Sequence, residues 1–302
     1  MTVSIDAPSS APRPVSVRGK GGWRRVSPTL GTLPFFGYVA VFLLIPTGIV
    51  VVGAFRSPDG GFTWANITAL GDSVVIDAFV TSVILSAVTA VIGAVVGGLL
   101  SYVLVTGRPG SLARRIVTSA CSVLAQFGGV MLAFAFIATV GMNGMVNDAL
   151  KDWFGLVTTG AYLYTLPGLI LVYSYFQIPL MVIVFLPAVD GIRSQWREAA
   201  ETLGGSTWVY WRRVAGPLLA PAFLGSTLLL FANAFSAYAT AKALITQSNP
   251  IVPLQIAGAI TNEVNVGHAD LAKSLALGMV VIVAIVMWLY AMLQKRTARW
   301  LG

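Results

Sequence analysis

Charge is what this chain has least of. Of its 302 residues only 10% are Asp, Glu, Lys or Arg, while 57% are hydrophobic. A water-soluble domain carries about 25% charged residues. That scarcity excludes a surface wetted all round, and the solvent for most of the chain is lipid. Cysteine is nearly absent too. Cys121 is the only one, so no internal disulfide is possible, and it reads as a small buried hydrophobe. A single histidine, His268, reads as a solvated loop residue. Zinc chemistry takes about three protein ligands, and that supply is missing. No paired carboxylates stand inside the apolar segments to relay protons, so an intramembrane enzyme has no candidate active site. No G-x-x-x-x-G-K-[ST] phosphate loop occurs. Arg18-Gly19-Lys20-Gly21 has neither the upstream spacing nor the hydroxyl. The expectation is a chain without catalytic residues, metal or cofactor of its own.

What the sequence does have is long apolar runs. Uncharged stretches cover residues 26–55, 78–107, 116–147, 153–189, 214–241 and 274–294. Each holds the ~20 apolar residues that cross a 30 Å hydrocarbon core as a helix. These continuous runs are not the alternating segments of a membrane barrel. They predict an all-α, polytopic membrane protein with six transmembrane helices near 34–55, 78–105, 116–139, 165–187, 222–245 and 274–293. Residues 251–260 are apolar but short, and Pro250 and Pro253 predict a loop or half-buried turn there.

The net charge of +8 does not point to nucleic acid. With six spans and an inside N-terminus, 15 of the 19 Lys and Arg fall on the cytoplasmic side, as expected of inserted helices. Both termini are then cytoplasmic. Residues 1–26, rich in Ser, Pro, Arg and Gly, read as a disordered cytoplasmic tail. Residues 27–302 read as one six-helix domain. The first apolar run is too long for a cleaved signal.

Local signals fill in this outline. Gly93, Gly97 and Gly98 place small residues at helical spacing, allowing close helix approach within the molecule. Pro179 predicts a kink in the fourth span. Asn143-Gly144 marks a turn, with room for a short helix across 145–153.

The informative polar segment is the loop at 190–221, between the fourth and fifth spans. Residues 194–203 predict a helix capped by Ser194, with Arg197 and Glu201 as an i,i+4 pair. Gly204 ends it and Gly205 frees the bend. A second helix begins at Ser206 and carries Trp208, Tyr210, Trp211 and Val214 toward Pro217. Small Ala199 and Ala200 let another surface approach the backbone, and Glu198 offers a charge for a basic partner. Such a hairpin can pass a rigid-body rotation to the two spans it joins.

The order Glu198-Ala199-Ala200, then Gly204, Val214, Pro217 and Pro221, resembles the permease signature of binding-protein-dependent ABC importers. Leu203 stands where many members have aspartate. The resemblance implies that this loop is the coupling helix, seated in a groove of a separate ATPase subunit that binds ATP and Mg. It also implies a second permease subunit, the same or homologous, and an extracytoplasmic substrate-binding protein, in a bacterial plasma (inner) membrane. Glu198, Ala199, Ala200, Gly204, Gly205 and Pro217 are then the ATPase-coupling residues. A membrane scaffold or channel without an ATPase is the rival class.

Three further segments resemble the spermidine/putrescine-type branch: Phe176-Gln177-Ile178-Pro179-Leu180-Met181, residues 231–240, and Val252-Pro253-Leu254-Gln255-Ile256. Polyamine is the substrate this implies, with aminoethylphosphonate, iron, thiamine and sugar as alternatives. Asn233, Tyr238 and Lys242 are candidate pathway residues. On one helix Tyr238 and Lys242 face nearly opposite to Asn233, Ser236 and Thr240. Both faces can line one cavity only if the fifth helix unwinds. Lys242 is either in the path, where it suits an anion, or snorkels from a helix end.

Overall fold

The computed structural model describes residues 28–57, 60–107, 110–154, 161–245, 251–261 and 268–298. The proposed tail therefore lies outside the described residues. The chain divides at Gly48 into two units. The first contains α1 (Pro28–Val39), a π-helical turn (Ala40–Leu44) and the start of α2 (Ile45–Ala54). Its apolar side chains from Leu33 to Leu44 are largely exposed, as a lipid-facing helix requires.

The second unit is a helical bundle. Short α3 (Ala65–Thr68) leads into α4 (Ser73–Thr106). Then come α5 (Leu112–Gln126), α6 (Gly129–Val140), α7 (Met145–Phe154) and α8 (Leu166–Asp190). Next are α9 (Ser194–Thr202), α10 (Thr207–Tyr210), a π-helical turn (Trp211–Ala215) and α11 (Gly216–Ser236). The unit closes with α12 (Ala239–Leu244), α13 (Val252–Thr261) and α14 (His268–Ala298). Among the described residues the only β pairing is an isolated bridge between Arg56 and Phe62. Six helical segments among the described residues are long and apolar enough to cross a membrane. The all-α polytopic reading is correct.

α4 and α8 form the centre. At ~1.5 Å per residue, the 34 residues of α4 reach about 51 Å, more than the hydrocarbon core needs. Its buried stripe is small: Ser82, Ser86, Ala90, Gly93, Ala94, Gly97 and Ser101. Two of the buried hydroxyls bond to their own helix, Ser86 Oγ to the Ser82 carbonyl at 2.7 Å and Ser101 Oγ to the Gly97 carbonyl at 2.8 Å. The glycines serve packing within the molecule. A Cβ on Gly93 would meet Leu230 Cδ2 at 2.7 Å, and one on Gly97 would meet Met181 Cβ at 2.6 Å. Tyr173, Phe176 and Leu132 fill one core cluster, and Met181, Phe185, Leu230 and Phe235 fill another.

Several local expectations need correction. Residues 251–260 are not a loop: α13 is a helix. Pro253 sits in its first turn, where a missing N–H breaks no helical bond, and the Val252 N–H donates to Ser82 Oγ at 3.0 Å. Arg193, not Ser194, is the N-cap of α9, and its side chain makes no capping bond. His268 begins α14 instead of lying in a loop. The helix expected across 145–153 is present as α7.

The largest departures are two breaks. The stretch expected as the third span, 116–139, is broken at Phe127 and Gly128, between α5 and α6, and that expected as the fifth, 222–245, at Ala237 and Tyr238, between α11 and α12. The segments long and apolar enough to cross are instead Gly129–Trp153 and Thr207–Ser236, which begin and end at these breaks. Gly129 has φ +69°, a left-handed conformation that glycine adopts at no steric cost. The freed Ala237 carbonyl accepts a hydrogen bond from the Tyr173 hydroxyl at 2.6 Å.

Candidate functional site

Two places carry the residues singled out by sequence. The first is the hairpin of α9 and α10. α9 ends in a Schellman motif: the Gly204 N–H donates to the Glu201 carbonyl at 2.9 Å, and the Gly205 N–H to the Ala200 carbonyl at 2.8 Å. Gly204 holds φ +77°, which a side chain disfavours. Gly205 is constrained differently, since a Cβ there would lie 2.8 Å from the Ala200 carbonyl oxygen. The two glycines therefore fix the bend. Ser206 then caps α10, its side chain accepting from the Val209 N–H at 3.4 Å.

The face this hairpin offers is exposed. Glu198, Ala199 and Glu201 are solvent-facing, Ala200 is half-buried, and Leu203 is 88% exposed. Arg197 Nε donates to Glu201 Oε1 at 3.0 Å. That hydrogen bond, and then the carboxylate charge, hold the guanidinium above its ordinary pKa. Glu198 stays outside this pair. Pro217 lies inside the continuous helical run Thr207–Ser236, two residues after the π-helical turn Trp211–Ala215, where the missing N–H falls at a local irregularity of the helix. An ion pair between Arg114 and Asp190 ties the start of α5 to the end of α8 beside the hairpin.

The second place is a cavity of about 320 Å³ at the two helix breaks. Gly128 and Gly129 line one side; Asn233, Ser236, Tyr238 and Thr240 line the other. Asn233 and Tyr238 lie on opposite faces of a continuous helix, and the break brings them together. Thr240 Oγ1 donates to the Gly129 carbonyl at 3.3 Å, linking one break to the other. Lys242 is exposed, near the end of α12, and is not among the lining residues. Among the described residues no Asp or Glu lines the cavity either. Gly128, Gly129 and Ser236 were missed as lining residues. The Gly128-Gly129 pair was the available signal.

The comparison with known proteins fits this layout. Residues 131–299 match the family described as "Binding-protein-dependent transport system inner membrane component". That match covers more than half of the chain. The chain belongs to this family. It is a multi-pass membrane protein of the binding-protein-dependent type, and the hairpin and the second break both lie within the matched region.

Individual relatives of this family member are distant. The molybdenum transport system permease ModB of Escherichia coli is 27% identical over 109 residues, 36% of this chain and 46% of that protein. The chain thus spans about half the length of that relative. The sulfate transport system permease CysW of Synechococcus elongatus is 24% identical over 267 residues, 87% of each chain. The spermidine/putrescine permease PotC of Haemophilus influenzae is 24% identical over 258 residues, 82% of this chain and 93% of that one. In solved structures the fold recurs in a bacterial ABC transporter that imports the acidic polysaccharide alginate. That match has a TM-score of 0.70 at 17% identity, covering 89% of this chain and 94% of that one.

Proposed function

We propose that this chain is the permease subunit of an ATP-driven importer, forming half of a substrate pathway and docking a separate ATPase through Glu198, Ala199, Ala200 and Gly204. The observation that carries the reading is the exposed, glycine-fixed hairpin between the fourth and fifth spans, in a chain of the binding-protein-dependent family. A small exposed helix held by a Schellman turn is stiff enough to transmit a rigid-body motion to α8 and α11. The ATPase supplies ATP and Mg. A second permease, an extracytoplasmic binding protein and a bacterial plasma membrane complete the setting, with residues 27–302 as its membrane domain.

For the substrate, the cavity favours a small oxyanion over the polyamine that the sequence resemblance implies. A desolvated polyamine needs carboxylates to offset its charge, and none lines the cavity among the described residues. Side-chain donors on Asn233 and Tyr238 suit anion oxygens instead, while the Ser236 hydroxyl is taken by the Ala232 carbonyl at 2.9 Å. The relative CysW belongs to a sulfate transport system, and sulfate is an anion. The polyamine reading rests on the match to PotC, which covers nearly the whole of that protein.

The test is uptake by cells lacking this gene and by the same cells complemented with it, using labelled sulfate, molybdate, a phosphonate and spermidine. The proposal expects restored uptake of an oxyanion and none of spermidine. Restored spermidine uptake alone would return the substrate to the polyamine class and leave the permease role intact.

A further inference from the structure

α9 carries an apolar face that the bundle does not cover. None of the nine residues of this helix is buried. Trp196, Ala199, Ala200 and Leu203 stand at i, i+3, i+4 and i+7. At about 100° per residue they share an arc of roughly 100°, the stripe of an amphipathic helix. Arg197, Glu198 and Glu201 occupy the opposite arc, with Glu198 roughly 150° from the centre of the stripe. The small pair Ala199 and Ala200 lies between two large side chains, so a neighbouring surface can approach the backbone there and be gripped at both ends.

Leu203 is the end that projects. At 88% it is the most exposed large apolar side chain among the described residues, and Trp196 is 38% exposed. The Leu203 N–H donates to the Ala199 carbonyl at 3.1 Å, so this C-cap residue keeps the helical register. The Schellman turn at Gly204 then fixes its direction. One exposed leucine is ordinary on a protein surface. A leucine and a tryptophan in register on one open face are the anchors of a helix that lies in an apolar groove.

Charge selects the occupant of that face. Helices that lie on a membrane carry Lys and Arg on the polar side, and the cytoplasmic leaflet is anionic. Here Arg193 and Arg197 are matched by Glu198 and Glu201, so residues 193–203 have no net charge. Arg197 is also held by Glu201. Nothing in this segment draws it onto anionic lipid, and a protein groove needs no such charge. A second copy is a poor occupant, because one nine-residue helix offers far less than the roughly 800 Å² per partner of a stable interface between flat surfaces.

Resting on the docking reading above, we propose that the ATPase subunit meets α9 with an apolar groove that takes the stripe, with Leu203 and Trp196 as its anchors. Glu198 then meets the groove only at its rim, where a charge adds little affinity and acts mainly on the rate of association.

The test is recovery of the co-expressed ATPase subunit with the purified full-length permease, at equal membrane abundance. Leu203→Asp should lower recovery about tenfold or more, the loss expected for one buried leucine. Trp196→Ala should lower it by a similar factor, and Leu203→Met should keep it within twofold. Ser194→Asp, which adds the same charge on the opposite face of α9, should also leave it within twofold. Wild-type recovery with Leu203→Asp, or an equal loss with Ser194→Asp, would overturn the groove. If Leu203→Asp then binds normally while Ala199→Trp does not, the ATPase still docks here and only the anchors are wrong. A wild-type permease that recovers no ATPase would overturn the docking reading and this inference with it. So would efficient disulfide capture between copies carrying Leu203→Cys in native membranes overturn the groove, because the stripe would then join two copies.

Discussion

The Tyr173 hydroxyl donates to the Ala237 carbonyl across 2.6 Å, from the centre of the fourth span to the break in the fifth. Tyr173 is fully buried, so no water competes for the bond. The contact holds open a discontinuity that would otherwise leave a carbonyl without a partner inside the membrane.

Tyr173→Phe should therefore loosen the break without emptying the core. Loss of one hydrogen bond costs about 1 kcal/mol, with more if the carbonyl stays unsatisfied. The purified protein should melt a few degrees lower, and uptake should fall at equal membrane abundance. Unaltered melting and uptake would mean that the tyrosine does not support the break.

Packing of α4 on α8 gives a sharper contrast. A Cβ on Gly97 would meet both Met181 Cβ at 2.6 Å and the Ile178 carbonyl oxygen at 2.7 Å. Backbone cannot step aside as a flexible side chain can. Gly97→Leu is expected to cost at least ~1–3 kcal/mol and to reduce the amount of protein in the membrane severalfold. Gly37→Leu, where nothing lies within 4 Å, should leave abundance near wild type. Immunoblots of membrane fractions read both.

The cavity makes a prediction about charge. Asn233→Asp would place a carboxylate among the lining residues. Two unit charges ~6 Å apart at an effective dielectric near 20 interact by roughly 3 kcal/mol. Oxyanion uptake should drop tenfold or more. Lys242→Ala, exposed and off the lining, should change uptake less than twofold. A large loss with Lys242→Ala and none with Asn233→Asp would move the pathway to the other face of α12.

The six spans were legible because a helix crossing lipid must spend ~20 residues without charge, and such runs survive in composition alone. The hairpin was legible because its residues have special duties: small at Ala199 and Ala200, left-handed at Gly204. The breaks were not. Ala125 to Val130 and Ser236 to Thr240 are uncharged throughout, so hydropathy runs straight over them, and the partners that tolerate the breaks are remote in sequence. Tyr173 lies 64 positions from Ala237, and Gly129 lies 111 from Thr240. α13 was hidden for the opposite reason: Pro253 is a breaker in mid-helix and harmless in a first turn.

Topology is open to direct measurement. The basic residues that follow alternate spans predict a cytoplasmic C-terminus. Reporter fusions after residue 302 should be active only as cytoplasmic tags, and fusions near Asn147 only as external ones. An external C-terminus would contradict the six-span arrangement.

The central claim is that the α9–α10 hairpin docks an ATPase, and Ala199 tests it most directly. Ala199 is exposed, so Ala199→Trp adds bulk to the docking face without disturbing the bundle. Gly204→Val attacks the same surface through its bend, at a backbone cost of about 1–2 kcal/mol. The measurement is co-purification of the tagged permease with its co-expressed ATPase subunit, at matched membrane abundance. The account predicts that Ala199→Trp lowers recovery of the ATPase at least tenfold and abolishes ATP-driven uptake in proteoliposomes. Wild-type recovery and uptake with Ala199→Trp would contradict it.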